Sequence, residues 1–419
     1  MRNGGGNPDG FPRFENGISG DAEPLHNQNK SQRDLDLHSS FLIPHSSLSL
    51  YLHVPFCASK CTYCDFASFP GREGEWDRYF GALWREIEGW GPGLAGREVA
   101  TVFVGGGTPT LVDAGYIEET LARCRQAVPF SRSAEITLEG NPGTLTPQKL
   151  AVYRRAGVNR LSLGAQSFDD GLLKSLGRIH TVAQIMEAVQ MARDAGFSNL
   201  NLDLMYALPG QTMDQWRRTL DAALSLGVPH LSAYSLIVEA GTPMARRVAA
   251  GEAVLPDDDA VNAMQRAAID ALAQAGVHRY EISNYARPGF ECRHNLVYWR
   301  RGEYLGLGCA AHSLVGGHRF HNPDSLEDYL AGQRRLEDQR LTPSDEMEET
   351  LMLATRTTRG LDLAAWRDAF GRPFHSGREA ALSRLESGGL IETGDGFLRL
   401  TRRGLELQNA VVLALLGED

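Results

Sequence analysis

The sequence predicts an α/β protein in which short apolar strands alternate with amphipathic helices, followed by a smaller helical unit that closes on a hairpin. Three observations predict it. Apolar runs recur at a period of roughly 30 to 40 residues, each followed by a stretch with helical spacing, as in βα units. Such alternation requires parallel pairing with right-handed crossovers, which leaves a barrel, complete or partial, or an open doubly wound sheet. The chemically interesting residues all end or follow a strand, where barrel enzymes carry their sites, and this favours the barrel.

The elements follow in order. Residues 48–54 form the first strand, and 75–88 a helix with apolar spacing at Tyr79, Leu83, Trp84 and Ile87. Residues 99–104 form the second strand, ending in Gly105-Gly106-Gly107-Thr108-Pro109, with a helix over 113–125 that Asp113 can cap. A strand over 134–139 leads to a helix over 146–156. The fourth strand, 160–163, precedes helical segments at 169–176 and 181–195. The fifth, 200–205, precedes a helix at 213–226, and 231–238 is the sixth strand. Beyond Glu239 the alternation breaks into a helix at 257–275, a short strand at 278–282, a loop-rich stretch to about Pro323 and a further segment to Leu341. From Asp345 onward, helices at 348–355, 363–369 and 379–387 and two strands around Asp395-Gly396 suggest a winged-helix-like domain. The expected organisation is a disordered extension over 1–47, a barrel core over 48–240, a connecting region over 241–344 and the C-terminal domain over 345–419.

Composition narrows the function. With 42% apolar and 22% charged residues the 419-residue chain has ample core for one large and one small domain. A net charge of −10 argues against a broad nucleic-acid surface. The winged-helix-like segment is itself acidic, with nine arginines and no lysine against thirteen acidic residues, so it is expected to cover the barrel or a partner rather than DNA. The longest clean apolar run near the C-terminus, 410–416, is far short of the ~20 residues that span a bilayer, leaving at most a transient membrane association. The first 47 residues, with Gly4-Gly5-Gly6 and scattered Asn, Ser and Pro, show no apolar signal segment, and a cytoplasmic protein is expected.

Chemistry concentrates in Cys57, Cys61 and Cys64, spaced C-x3-C-x2-C after the first strand. Three soft thiolates in so tight a loop suit the corner of an iron–sulfur cluster, leaving one iron open. Zinc would want a fourth ligand, and six cysteines are too sparse for a disulfide framework. Buried structural thiols have no reason to crowd a loop. Gly105 to Gly107 bare the backbone at the end of the second strand, where it can bind the ends of an amino acid. Glu139, Gln166, Arg178 and Asp203 lie near later strand ends, which a barrel gathers at one mouth. A carboxylate there suits ribose hydroxyls and an arginine fork suits a carboxylate.

The cysteine loop resembles that of the radical S-adenosylmethionine (SAM) superfamily, whose C-x3-C-x2-C loop holds a [4Fe–4S] cluster with one iron open to chelate SAM. The resemblance implies the superfamily's partial (β/α)6 TIM barrel, Cys57, Cys61 and Cys64 as cluster ligands, and either SAM cleavage to a 5′-deoxyadenosyl radical when the cluster is reduced or a cluster that persists with that use altered. Tyr51, Gly106, Gly107, Thr108, Glu139, Gln166, Arg178 and Asp203 match the SAM contacts of one branch, the oxygen-independent coproporphyrinogen III oxidase group. True oxidases of that group carry a further cysteine two residues after the third, where this chain has Phe66. From about Leu48 to its end the chain is similar instead to the haem-chaperone branch. That resemblance implies haem binding and delivery to haem-accepting proteins, with an electron donor as a further partner. The alternative activity is a coproporphyrinogen III dehydrogenase, oxidatively decarboxylating propionate side chains. His294, in the branch's H-N-x-x-Y-W pattern, is implied as haem ligand, with Tyr298 and Trp299 as a stacking wall. Cys309 and His312 are the alternative ligands.

Overall fold

The computed structural model describes residues 47–417, so the expected N-terminal extension lies outside the described residues except for its last one. Six parallel strands form the centre of one sheet: β1 (Ser47–Val54), β2 (Glu98–Gly106), β3 (Phe130–Gly140), β4 (Arg160–Gln166), β5 (Asn199–Tyr206) and β6 (His230–Ser235). Helices α1 (Trp76–Trp90), α2 (Ala114–Ala127), α3 (Pro147–Arg155), α4 (Asp170–Ser175), α5 (Val182–Asp194) and α6 (Met213–Ser225) make the crossovers. Period-two alternation explains the layering. In β1, Leu48, Leu50, Leu52 and Val54 are buried in one core with Tyr79, Leu83 and Ile87 of α1, while Ser49, Tyr51 and His53 take the opposite face. That second face is polar across the sheet. Thr101 donates to Ser49 at 2.8 Å, and Asn201 donates to Ser162 at 2.7 Å and to Ser232 at 3.1 Å.

Beyond β6 the chain adds α7 (Pro243–Ala249), α8 (Asp258–Gln274) and the short antiparallel strands β7 (His278–Arg279) and β8 (Asn284–Ala286). It then forms α9 (Arg293–Trp299) and returns to the other edge of the sheet. There β9 (Tyr304–Leu307) pairs parallel to β1, and β10 (His312–Val315), β11 (His318–His321) and, after α10 (Leu326–Leu330), β12 (Leu336–Arg340) continue antiparallel. The order is β12-β11-β10-β9-β1-β2-β3-β4-β5-β6-β8-β7, and its two ends do not pair, so the barrel is partial. The expected loop-rich stretch to Pro323 is thus corrected. It holds a helix and four strands, of three or four residues each, too short for a visible period, and Tyr304–Leu307 among them is held by pairing with a distant β1.

Two boundaries also move. The sixth strand ends at Ser235, because Leu236 donates its N–H to the Tyr206 carbonyl at 2.9 Å and turns into a small apolar cluster with Met205, Leu208 and Met244. The strand expected over 278–282 stops at Arg279, and Glu281 makes only an isolated bridge to Thr357.

The C-terminal domain is winged-helix-like: α11 (Pro343–Ala354), α12 (Leu363–Phe370) and α13 (Glu379–Ser387) pack on a three-stranded sheet of β13 (Leu361–Asp362), β14 (Ile391–Gly394) and β15 (Phe397–Leu400). Helix α11 starts five residues earlier than expected, at Pro343, because Thr342 and Asp345 form a capping box around it. Asp395 and Gly396, both with positive φ (51° and 82°), make the two-residue hairpin turn. Two further helices, α14 (Arg402–Glu406) and α15 (Gln408–Leu416), close the domain around a core of its own. No helix among the described residues is long and apolar enough to cross a membrane.

Candidate functional site: the mouth of the partial barrel

The cysteine loop is a clip closed at its base. Phe56–Cys57 pairs with Phe69–Pro70, and Phe69 donates to the Pro55 carbonyl at 2.7 Å. His53 reinforces the clip from below. Its Nε2 lies 2.9 Å from the Ala67 carbonyl, which only accepts, so Nε2 carries the proton and Nδ1 accepts from the Tyr51 hydroxyl at 3.0 Å. The middle of the loop is tied down by Thr62, whose N–H reaches the Leu176 carbonyl at 3.0 Å and whose carbonyl accepts from Met244 at 2.8 Å.

Opposite the loop stands the glycine turn ending β2. The Gly107 and Thr108 amides donate to the Val54 and Phe56 carbonyls at 2.9 and 2.7 Å. A Cβ on Gly107 would lie 2.7 Å from the Phe56 oxygen and 3.0 Å from the Cys57 sulfur, and one on Gly106 2.6 Å from the His53 ring. The three glycines are therefore required by close approach as well as by the turn. Thr108 Oγ1 sits 3.6 Å from the Cys57 sulfur and accepts from Asn141 Nδ2 at 3.0 Å.

Arg178 comes in from the end of α4. It donates to the Gly164 carbonyl at 2.8 Å, to the Cys61 sulfur at 3.5 Å and to Asn141 Oδ1. Deeper in, Gly106 N–H donates to Glu139 at 3.2 Å, while Ser162 and Asn201 donate to Asp203 at 3.2 and 2.8 Å. Burial, then the Asp203 charge, pushes the Glu139 carboxyl up to about 8, and burial raises Asp203 as well. Near neutral pH Glu139 therefore keeps its proton most of the time and can donate to a hydroxyl. Gln166 has a positive φ of 64° and breaks the pairing of β4, which makes it a strained residue at the strand's end.

The structure therefore brings Tyr51, Gly106, Gly107, Thr108, Glu139, Gln166, Arg178 and Asp203 to the end of the strands where Cys57, Cys61 and Cys64 stand. His294, expected as a haem ligand, stands apart from this group. It lies in α9, 1% exposed, against Thr101, five residues before Gly106 on the same strand, or roughly 16 Å at a strand's rise. Thr101 gives its proton to Ser49, so it accepts from His294 Nδ1 at 2.8 Å, and the lone pair on Nε2 takes the Tyr298 hydroxyl at 2.9 Å. Burial pushes the ring down to about 3. The helix plugs the far end of the barrel, and both ring nitrogens are engaged. Cys309 is buried, with its sulfur 3.2 Å from the Pro323 carbonyl, whereas His312 is exposed.

Sequence reasoning missed His53 and Asn141. His53 follows Ser49 and Tyr51 on the polar face of β1, and Asn141 directly follows the end of β3; those were the available signals.

The donor set fits an iron–sulfur cluster. All six cysteines are free, and a cation, Arg178, stands beside Cys61. Among the described residues no three His, Cys, Asp or Glu converge closely enough for a single ion. A three-cysteine clip over a bare glycine turn, at the mouth of a six-strand partial barrel, defines a radical SAM protein.

Comparison with known proteins agrees. The Radical SAM superfamily model matches residues 51–223, and the HemN C-terminal domain matches 341–407. The heme chaperone HemW of Bacillus subtilis is 35% identical over 88% of this chain and 99% of its own length. That of Mycobacterium tuberculosis H37Rv is 39% identical over 92% and 99%. The solved structure of the coproporphyrinogen III oxidase HemN of Escherichia coli superposes with a TM-score of 0.78 at 25% identity, covering 91% of this chain and 93% of that one. The chain belongs to the HemW family. Its superfamily implies SAM and a [4Fe–4S] cluster as cofactors.

Proposed function

We propose that this protein binds haem and delivers it to haem-dependent proteins. In this reading the mouth of its barrel holds a [4Fe–4S] cluster on Cys57, Cys61 and Cys64 and SAM across the glycine turn. The observation that carries the reading is kinship along nearly the whole length to proteins named heme chaperone HemW, C-terminal domain included. Phe66 supports it. This side chain, 64% exposed, stands in the cysteine loop where the oxidases of the group carry another thiol.

Within this reading, when bound, the cluster supplies an electron and an open iron for SAM. The protein's own residues do the rest. The clip closed by His53 fixes the spacing of the thiols, and Gly106, Gly107 and Thr108 leave room for the amino group of SAM. Arg178 offers its fork to a carboxylate, and the buried carboxyls Glu139 and Asp203 face ribose hydroxyls. An electron donor and haem-accepting proteins are the partners, and the cytoplasm is the compartment proposed.

The test is anaerobic reconstitution followed by haem titration, transfer of the bound haem to an apo-haemoprotein, and a coproporphyrinogen assay with SAM and reductant. Haem binding and transfer without decarboxylation are expected. Turnover to protoporphyrinogen at enzymatic rates without stable haem binding would replace this reading by the dehydrogenase.

A further inference from the structure

We infer that the seam between the barrel and the C-terminal domain binds the propionate carboxylates of haem, with Arg300 and Arg356 as the clamp and the Trp299 indole as a further donor. The inference rests on the haem-binding reading above.

Arginines converge on this seam although the chain as a whole carries a net charge of −10. Trp299 ends α9 and Arg300 caps it, while Arg356 and Arg359 follow α11 on the opposite bank. The two banks are tied together. Arg301 pairs with Glu346 at 2.9 Å and with Glu349 at 3.1 Å, and Glu281 makes a backbone bridge to Thr357. Across the seam the Arg356 guanidinium lies 4.9 Å from the centre of the Trp299 ring. Burial, then the Arg359 charge, pushes Arg300 down to about 10, so these two cations are close enough to repel. Arg359 is itself held at 4.8 Å from the centre of the Phe397 ring, with Arg399 at 5.3 Å from the same ring.

Two donors in this group want an acceptor. Trp299 Nε1 and Arg356 Nε are buried, and neither has a hydrogen-bond partner among the described residues. Nor does Arg356 enter an ion pair among them. An indole N–H and a guanidinium only donate, so the two cannot satisfy each other. Buried polar groups are ordinarily paired, and what would pair these is a ligand with acceptor oxygens. Trp366 shows the contrast. It too has an arginine over its ring, but that arginine, Arg378, donates to the Leu415 and Phe374 carbonyls at 2.8 and 3.1 Å.

A carboxylate answers both needs, because its two oxygens accept from a guanidinium fork and its charge relieves the repulsion between Arg300 and Arg359. Haem carries two such groups on one edge of an apolar plane, and Trp299 sets an aromatic surface beside the fork. His294, expected as a haem ligand, stands six residues before Arg300, roughly 9 Å along the helix axis. Iron and carboxylates of one porphyrin can thus both be served from α9. The acid on this wall is Glu281, whose carboxyl burial raises and the Arg356 charge lowers; the upward shift lessens its repulsion of an incoming anion.

The experiment titrates the reconstituted full chain by Soret absorbance with haemin and with haemin dimethyl ester, whose esterified propionates carry no charge. The wild type is compared with Arg300→Gln, Arg356→Gln and a control, Arg402→Gln, which removes an exposed pair with Asp270. Thermal unfolding is recorded on every sample. The wild type is expected to bind haemin at least roughly tenfold more tightly than the ester, equivalent to about 1.4 kcal/mol. Arg300→Gln and Arg356→Gln should lose most of that preference by weakening haemin alone, and Arg402→Gln should keep it. A wild type that binds haemin and ester equally overturns the inference whether or not any variant folds. So does a preference that persists in folded Arg300→Gln and Arg356→Gln, or a loss that falls equally on both ligands. These results leave the haem reading standing, whereas a wild type that gives no Soret change with haemin overturns the haem reading and this inference with it.

Discussion

Gly107 is where the cysteine clip and the glycine turn touch, and one methyl group there has nowhere to go. Its added carbon would stand 2.7 Å from the Phe56 oxygen, 2.9 Å from the Phe56 nitrogen and 3.0 Å from the Cys57 sulfur, two of the three being backbone that cannot swivel away. Overpacking of this kind costs about 1–3 kcal/mol, and here it falls on the thiol that must hold iron. Gly107→Ala is expected to bind several-fold less iron on reconstitution, whereas Gly74→Ala, with nothing within 4 Å, should bind as the wild type does. Iron and sulfide content per chain decides it. Glu139 gives a prediction of another kind. Its folded pKa of about 8 lies above the ordinary carboxylate value of 4.5, so between those values the folded chain binds more protons than the unfolded one. The contribution of this group is fully present below about pH 4.5 and is lost as pH rises through 8, with a slope of about 1 kcal/mol per unit at its steepest. Glu139→Gln, which keeps an acceptor for the Gly106 amide, should flatten that fall. Denaturant unfolding at pH 5, 6.5 and 8 measures it, and an unchanged pH profile would contradict the assignment.

At the scale of elements, α9 reads as a plug. The Glu135 carboxylate accepts the Arg293 and His294 backbone amides at 3.2 and 3.1 Å, and the His294 ring joins the helix to Thr101. Removing the ring leaves the Tyr298 hydroxyl and the Thr101 oxygen short of a partner in a buried place, worth about 2–3 kcal/mol of stability. His294→Ala should therefore unfold at lower denaturant yet reconstitute its iron normally, because the cysteine clip is at the other end of the strands. Loss of iron with stability intact would refute the plug. The same helix shows what the sequence could and could not tell. The six βα units were legible because each strand is an apolar run and each helix carries its own period, both local properties. The mouth was legible through its cysteine and glycine spacing. Helix α9 was not, since its burial comes from Thr101 and Glu135, far away in the chain. Nor were β9 to β11, where Tyr304–Leu307 is a strand only because β1 lies beside it. The role expected of His294 followed its motif, whereas its burial comes from tertiary packing that no local pattern announces.

Across the whole molecule, two apolar cores are joined by a polar seam rather than by a continuous core. Glu349 of α11 sits in that seam. It accepts from Arg301, just beyond α9, at 3.1 Å and from Arg319 of β11 at 2.9 Å, and Arg301 also reaches Glu346 at 2.9 Å. Arg301 and Glu349 are only 17% and 18% exposed, so solvent screens them less than a surface pair. Thr358 adds a backbone bond to the Tyr280 carbonyl at 3.0 Å, and Arg402 an exposed pair with Asp270 at 3.2 Å, the latter worth little. The seam is built on the strand that carries His321, so the C-terminal domain braces the same sheet extension that flanks the barrel mouth. Glu349→Ala strands Arg319, leaves Arg301 with Glu346 alone, and should lower the domain's stability by about 1–3 kcal/mol. In a unit this small each kcal/mol moves the midpoint by roughly 4–8 °C, enough to separate its unfolding from that of the barrel in a calorimetric scan. Trp366, buried in the second core, reports the early transition by fluorescence. If the thermogram and the tryptophan signal both stay where the wild type has them, the ionic seam is not what couples the two cores, and the bridge between Glu281 and Thr357 becomes the element to break.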